Sequence, residues 1–222
     1  KFKKNSIAQL PWQEVVTKFS ALEIISQDEI ESIHHASLDV LESVGMKILH
    51  KEARKIFKNS GLDVNESSQM VYFDRDIVLS KIATAPKEFT LRARNPKRDL
   101  IFGGNHIVFS AVGGPAYCSD LDGGRRRGNF EDLQNYMKLI QSLNIIHQEG
   151  GMAFEVIELP PETRYLDLYL AQFQLLDKNC QSYPLGKDRT KDCIDMHCIA
   201  LECTRDELAF NPSVMGIINT NS

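Results

Sequence analysis

Residues 112–151 read VGGPAYCSDLDGGRRRGNFEDLQNYMKLIQSLNIIHQEGG. Just before them, Ile107, Val108 and Phe109 form an apolar run that Val112 closes and Gly113-Gly114-Pro115 breaks. A loop leads to Asn129, which has Asp132 at capping-box distance. Leu133, Tyr136, Met137, Ile140 and Leu143 then recur on one helical face. A second apolar pair, Ile145-Ile146, runs into Gln148-Glu149-Gly150-Gly151. The pattern is strand, loop, helix, strand, with polar and glycine residues just past each strand. In parallel α/β proteins ligands bind at such strand ends.

The same rhythm continues toward the C-terminus. A helix is expected from about 162 to 176 with Pro161 as its first-turn proline. A weak strand follows at 183–185, then a helix at about 190–203 and a clear strand at 214–218. Four strand slots separated by helices predict a parallel sheet. A closed eight-stranded barrel needs roughly 250 residues, so residues 107–222 predict either a small open sheet or part of a barrel. Toward the N-terminus the pattern differs. Ser26-x-x-Glu29 is a capping box, and Ile30, Ile33, Leu38, Leu41 and Val44 follow at helical spacing up to Gly45, which suits a helix end. A second helix is expected at about 50–60, turning Ala53, Ile56 and Phe57 inward. A strand at 71–73 and a short helix capped by Asp74 come next. Phe89 and Leu91 alternate with polar residues as a half-buried strand does, and 100–102 and 107–109 read as a β-hairpin around Gly103-Gly104-Asn105. Residues 1–106 therefore read as an α+β extension ahead of the 107–222 segment.

Composition excludes several classes of function. The 222 residues are 42% hydrophobic and 25% charged, and the net charge of −4 gives nucleic acid and anionic membranes no electrostatic footing. No apolar run reaches the ~20 residues of a membrane helix, and the N-terminus has no apolar signal core. Five cysteines without framework spacing read as free thiols in a cytoplasmic protein. Cys193, Cys198 and Cys203 step by five along a helix, which turns successive thiols ~140° apart and argues against a metal site. His34-His35 reads as an ordinary histidine pair. Gly123-Gly124-Arg125-Arg126-Arg127-Gly128 lacks the lysine and hydroxyl of a P-loop and reads as a turn, its arginines paired with Asp120 and Asp122. At the strand ends, Gly113 and Gly114 allow close backbone approach, and Gln148 and Glu149 offer polar or cationic contact. Glu149 can be a base, a cation partner or a structural acceptor. Asn219 and Asn221 supply neutral groups that orient a ligand, and Tyr183 supplies an aromatic wall for a cation.

Taken in succession, GGNHIVF (103–109), VGGP (112–115) and SDLDGGRR (119–126) form a specific signature. With SQDEIESIHHASLDVLESVGMKIL (26–49), NIIHQEGG (144–151), LPPETRYLDLYLAQFQLLDK (159–178), YPLGKDR (183–189) and VMGIINTNS (214–222), the chain resembles the trimethylamine methyltransferase family of corrinoid-dependent methylamine and quaternary-amine methyltransferases. The resemblance implies a TIM barrel behind an N-terminal extension, with 107–222 holding about the first four strands. It implies transfer of a methyl group from trimethylamine or a quaternary amine such as a betaine to the Co(I) of a corrinoid. That corrinoid is carried by a small partner protein, and none is bound tightly by this chain. The hard chemistry is then the cofactor's, and the enzyme binds, orients and activates the amine. The family's activating residue, pyrrolysine in the trimethylamine enzymes, lies beyond this chain. A homo-oligomer is expected at full length. A barrel that binds a methylated amine or the corrinoid protein without turnover is the alternative. A lyase or hydrolase barrel would need paired acids or metal ligands at the strand ends. Residues 1–222 alone are expected to be inactive and prone to associate, because part of a barrel leaves sheet edges and apolar surface uncovered.

Overall fold

A computed structural model describes residues 7–20, 22–114, 117–182 and 185–217. It is a mixed α/β structure of two compact units. One comprises Phe19–Lys87, and the other joins the residues up to Lys18 to those from Glu88 onward.

The second unit opens with a short strand, β1 (Val15–Val16). The Phe19–Lys87 unit begins with α1 (Gln27–Asp39), which the expected capping box starts: the Glu29 carboxylate accepts from the Ser26 N–H at 2.8 Å, and Ser26 Oγ accepts from the Glu29 N–H. The helix passes into a π-helical turn at Val40–Val44 and stops at Gly45, whose φ of 71° is left-handed. Next come β2 (Met46–Lys47), α2 (Lys51–Asn59), β3 (Asp63–Asn65), β4 (Met70–Tyr72) and α3 (Arg75–Ile82). The three strands form an antiparallel sheet in the order β2-β4-β3. This sheet is too small to cover the helices. Of the apolar positions expected inward on the first helix, Leu38 is buried while Ile30 and Ile33 stay exposed. On α2 the expected Ile56 faces solvent and Arg54 is buried instead. Its guanidinium donates to the Ile48 and Leu49 carbonyls and to Glu66 at 2.8–2.9 Å, so these bonds compensate its burial.

The larger unit continues with β5 (Glu88–Leu91), a 3₁₀ turn at Pro96–Arg98, β6 (Leu100–Gly103) and β7 (His106–Ile107). The hairpin expected between 100–102 and 107–109 is not the pairing found. β6 pairs with β5, placing Phe89 against Phe102, and β7 pairs with β1. The cross-strand Phe89–Phe102 stack at 5.3 Å favours the longer β5–β6 register over a tight turn at 103–105. A small hairpin, β8 (Cys118–Asp120) and β9 (Gly124–Arg126), occupies the arginine-rich stretch. Then α4 (Phe130–Ser142), α5 (Arg164–Leu175), α6 (Lys187–Leu201) and α7 (Arg205–Phe210) follow. Pro161 lies ahead of α5 in a turn in which the Thr163 N–H donates to the Pro160 carbonyl.

Parallel bridges link the segments between these helices: Ser110 with Gln148, Gln148 with Asn179, and Gln181 with Met215. Helices α4, α5 and then α6 with α7 fall between successive segments. The order is the expected strand–helix alternation, carried by single bridges and their main-chain bonds rather than by long strands. No closed barrel forms among the described residues. The third bridged segment lies at 179–181; of the expected strand at 183–185, residues 183 and 184 lie outside the described residues. The sequence cue was the apolar Tyr183-Pro184-Leu185, but polar Asn179 and Gln181 make the bridges. The core packs Leu133, Met137 and Ile140 of α4 and Leu168 and Ala171 of α5 against Ala111, Met152, Phe154 and Cys180.

Candidate functional site

Residues bridged in register share one face of a parallel sheet, and their neighbours in sequence share the other. Ala111 and Cys180 sit in the core with α4 and α5. Ser110, Gln148 and Asn179 therefore face the side away from the helices, with Gln181 one pleat further along the third segment. This is the side that a barrel encloses.

That row is polar, with Ser110 exposed and the two amides closed to water. Gln148 and Asn179 are each 2% exposed. Gln148 Nε2 donates to Ser110 Oγ, and Asn179 Nδ2 donates to the Leu91 carbonyl at 3.2 Å. Gln148 Oε1 and Asn179 Oδ1 are buried and have no hydrogen-bond partner among the described residues. Two carbonyl-type oxygens thus stand on one face with their amide nitrogens already committed. Such orphan acceptors are costly in a dry interior and suit a ligand that brings positive charge.

Glu149 belongs to the other face. It is 1% exposed, and its carboxylate accepts from the Gly151 N–H at 2.9 Å, the Met152 N–H at 2.6 Å and Gln172 Nε2 on α5 at 3.0 Å. Burial pushes its carboxyl above the usual range, and main-chain N–H donors pull against that shift. Of the three roles open to it in the sequence, the geometry is that of a structural acceptor which folds the 149–152 turn back toward α5.

The two glycine breaks meet. A Cβ on Gly113 would overlap the Gly150 carbonyl oxygen, and one on Gly150 would overlap the Ala111 carbonyl oxygen. The Gly114 N–H donates to the Met152 carbonyl at 2.7 Å, and Gly114 has a φ of 81°. Gly113 and Gly114 thus bring the first two segment ends into contact with each other. Beyond them, Gln181 Oε1 lies 3.0 Å from where a Cβ on Gly151 would stand. Tyr183, Asn219 and Asn221 lie outside the described residues.

Two buried groups near this row carry no motif. His147, 2% exposed, packs edge-on against Trp12 at 5.7 Å and accepts from the Phe109 N–H through Nδ1 at 3.1 Å; burial lowers its pKa. Lys178 donates from Nζ to the carbonyls of Ile140, Leu143 and Ile146 at 2.6–2.7 Å and so closes the C-terminal end of α4. Burial, helped by Arg98, lowers its pKa to about 8. Lys178 sits in the polar run Asp177-Lys178-Asn179, and no sequence pattern marked either it or His147.

Of the pairings expected in the arginine-rich turn, Asp120 takes Arg126, while Asp122 pairs with no arginine among the described residues and Arg125 lies over the Tyr117 ring at 4.1 Å. Arg126 bridges Asp120 at 2.7 Å and also holds Asp132, the N3 residue of the α4 capping box. Asp132 is held down to about 2 by that guanidinium. Asp122 gives its N–H to Asp120 at 3.0 Å. In the cysteine-bearing helix, His197 Nδ1 lies 2.8 Å from the Cys193 carbonyl oxygen, and both side chains are buried. Among the described residues no group of three or more His, Cys, Asp or Glu could hold a metal ion, and no helix is long and apolar enough to cross a membrane.

The profile of the family described as "Trimethylamine methyltransferase (MTTB)" matches residues 1–222. The chain belongs to the trimethylamine methyltransferase family. Among its relatives, a glycine betaine methyltransferase of Desulfitobacterium hafniense (strain Y51) is 31% identical over 197 residues, covering 89% of this chain and 40% of that protein. An L-carnitine:corrinoid methyltransferase of Eubacterium limosum is 28% identical, covering 69% of this chain and 30% of the other. A trimethylamine methyltransferase of Methanosarcina barkeri is 32% identical, covering 46% and 21%. The chain thus spans well under half the length of the curated relatives it matches.

Proposed function

We propose that this chain builds one wall of a (β/α)8 barrel, with 107–222 supplying its first four strand positions and 1–106 an extension. In this reading the protein transfers a methyl group from a methylated amine to the corrinoid cobalt of a small partner protein. The observation that carries the proposal is the row Ser110–Gln148–Asn179, with two buried carbonyl oxygens that have no donor among the described residues. Family membership supplies the reaction class.

The row fits the amine. A quaternary ammonium has no N–H, so its positive charge is met through its polarised methyl groups, and neutral carbonyl oxygens do this without an ion pair. A carboxylate there would hold the cation more tightly but also stabilise it against losing a methyl group. Neutral acceptors fix orientation and leave reactivity intact. The bond that breaks is N–CH3, and its electron pair stays on nitrogen. A quaternary amine leaves as a neutral tertiary amine and needs no proton. Trimethylamine is a poorer substrate for this wall, because its leaving group must first be activated.

The corrinoid, when bound with its carrier, supplies the Co(I) nucleophile. The chain's own contribution is to hold the amine, exclude water and aim one methyl group outward. Gly113, Gly114 and Glu149 shape the mouth and Gln148 contacts the amine; from the sequence alone, Tyr183 is proposed as an aromatic wall for the cation and Asn219 and Asn221 as groups that orient it. The full-length protein is proposed to be cytoplasmic and homo-oligomeric.

The test mixes the full-length protein with reduced corrinoid protein and follows the visible spectrum as amines are added. The expected result is an amine-dependent change with glycine betaine or carnitine that exceeds the change with trimethylamine. Tight amine binding with an unchanged corrinoid spectrum would instead identify a non-catalytic binding barrel.

A further inference from the structure

A cavity of about 130 Å³ lies against the first turns of α5 and α6, on the helix side of the bridged segments. Met152, Phe154, Leu168 and Leu185 give it an apolar wall, and its charged lining is two cations, Arg164 and Arg189, against one carboxylate, Glu155. It has room for several water-sized groups.

Both arginines stand where local stability disfavours them. Arg164 is the first residue of α5 and Arg189 the third of α6. A cation in the first turn opposes the helix dipole. Neither helix has a side-chain cap at its N-terminus, whereas α1, α4 and α7 each carry a complete capping box. Two helix starts without a side-chain cap, each with one acidic residue in its first turn (Asp167 and Asp188), and two guanidinium groups therefore converge on one cavity.

The guanidinium groups are positioned but not fully used. The Arg164 side chain is 15% exposed, and its Nε is buried with no hydrogen-bond partner among the described residues. Its neighbour Glu155 is 75% exposed and reaches Nη1 at only 3.7 Å, a loose pairing that an incoming anion can replace. Arg189 lies over the Tyr165 ring at 5.0 Å and donates to the Pro161 carbonyl at 3.3 Å, which fixes its plane. The nearby Asp192 accepts from the Tyr165 hydroxyl.

We propose that this cavity binds a small organic carboxylate, with its two oxygens between Arg164 and Arg189 and its apolar body against Met152, Phe154, Leu168 and Leu185. Planar guanidinium forks match the planar carboxylate, and the apolar wall favours a carbon-bearing acid over inorganic phosphate. The site is separate from the Ser110–Gln148–Asn179 row and does not depend on methyl transfer.

Calorimetric titration of the full-length protein with butyrate, inorganic phosphate and tetramethylammonium tests it. Butyrate is expected to bind, and its affinity to fall roughly tenfold or more in both Arg164→Gln and Arg189→Gln. Tetramethylammonium binding is expected to be the same in all three proteins. Thermal melts check that each variant folds, and the two variants alter different helices, so loss of one leaves the other decisive. Absence of butyrate binding, equal binding by a folded variant, or tighter binding of phosphate would overturn the proposal. Failure of methyl transfer with arginine-dependent butyrate binding intact would overturn the methyltransferase reading and leave this one standing.

Discussion

Lys178 donates all three of its N–H bonds to main-chain carbonyls at the end of α4. Lys178→Met would remove these donors and leave buried carbonyls unpaired, a cost of about 1–3 kcal/mol, read as a lower denaturation midpoint. The pH dependence has a defined sign. The pKa is 10.5 in the reference state and falls to about 8 in the fold. Between those values the unfolded chain holds more protons, so this residue's contribution makes stability rise with pH from about 8 to 10.5. Comparing denaturant melts of wild type and Lys178→Met across that range should show the rise only in wild type. Glu149 works in the opposite sense. Its folded pKa is raised, so its contribution falls as pH climbs from 4.5 through the folded value. Glu149→Gln would turn an NH2 group toward main-chain donors. It is expected to lower stability by about 1–3 kcal/mol and to slow methyl transfer by loosening the 149–152 turn. Equal melts and equal rates would remove Glu149 from this role. Gln148 was legible as a polar residue after an apolar strand. The different facing of Gln148 and Glu149 was not, because the register that decides it comes from the bridges to Ser110 and Asn179.

Among the elements, the contact between the two glycine breaks is the most exposed to single substitutions. Gly150→Ala would push a methyl group into the Ala111 carbonyl, and Gly113→Ala one into the Gly150 carbonyl. Backbone cannot rotate away as a side chain can, so each should cost about 1–3 kcal/mol and lower methyl transfer; Gly114→Ala meets open space but strains a φ of 81°. Midpoints and rates for Gly113→Ala and Gly150→Ala check this, and wild-type values for both would contradict the close approach. The helix starts at Ser26, Asp74 and Asn129 were readable because each cap is a local hydrogen-bond pattern. The same cue at Thr204-x-x-Glu207 marks α7, which periodicity missed in so short a helix. Strand pairing was less readable. β7 joins β1 across some ninety residues of sequence, and the third bridged segment uses Asn179 and Gln181 where apolarity pointed to 183–185.

For the molecule as a whole, much apolar surface remains uncovered. Phe19, Leu22 and Ile24 in the Phe19–Lys87 unit, and Ile199 and Phe210 in the other, are each at least three-quarters exposed. Exposed apolar surface of this kind promotes association, so residues 1–222 prepared alone are expected to form oligomers or aggregates, and sedimentation showing a stable monomer would contradict this. The strand–helix alternation and the family were legible because they rest on order along the chain. The polar row was not, since it depends on three segments arriving in one register. The rate of corrinoid methylation by full-length Gln148→Leu, measured beside its melting temperature, tests that row most directly. A rate at least about tenfold below wild type in a protein that melts as wild type does is the predicted result, and an unchanged rate would contradict it.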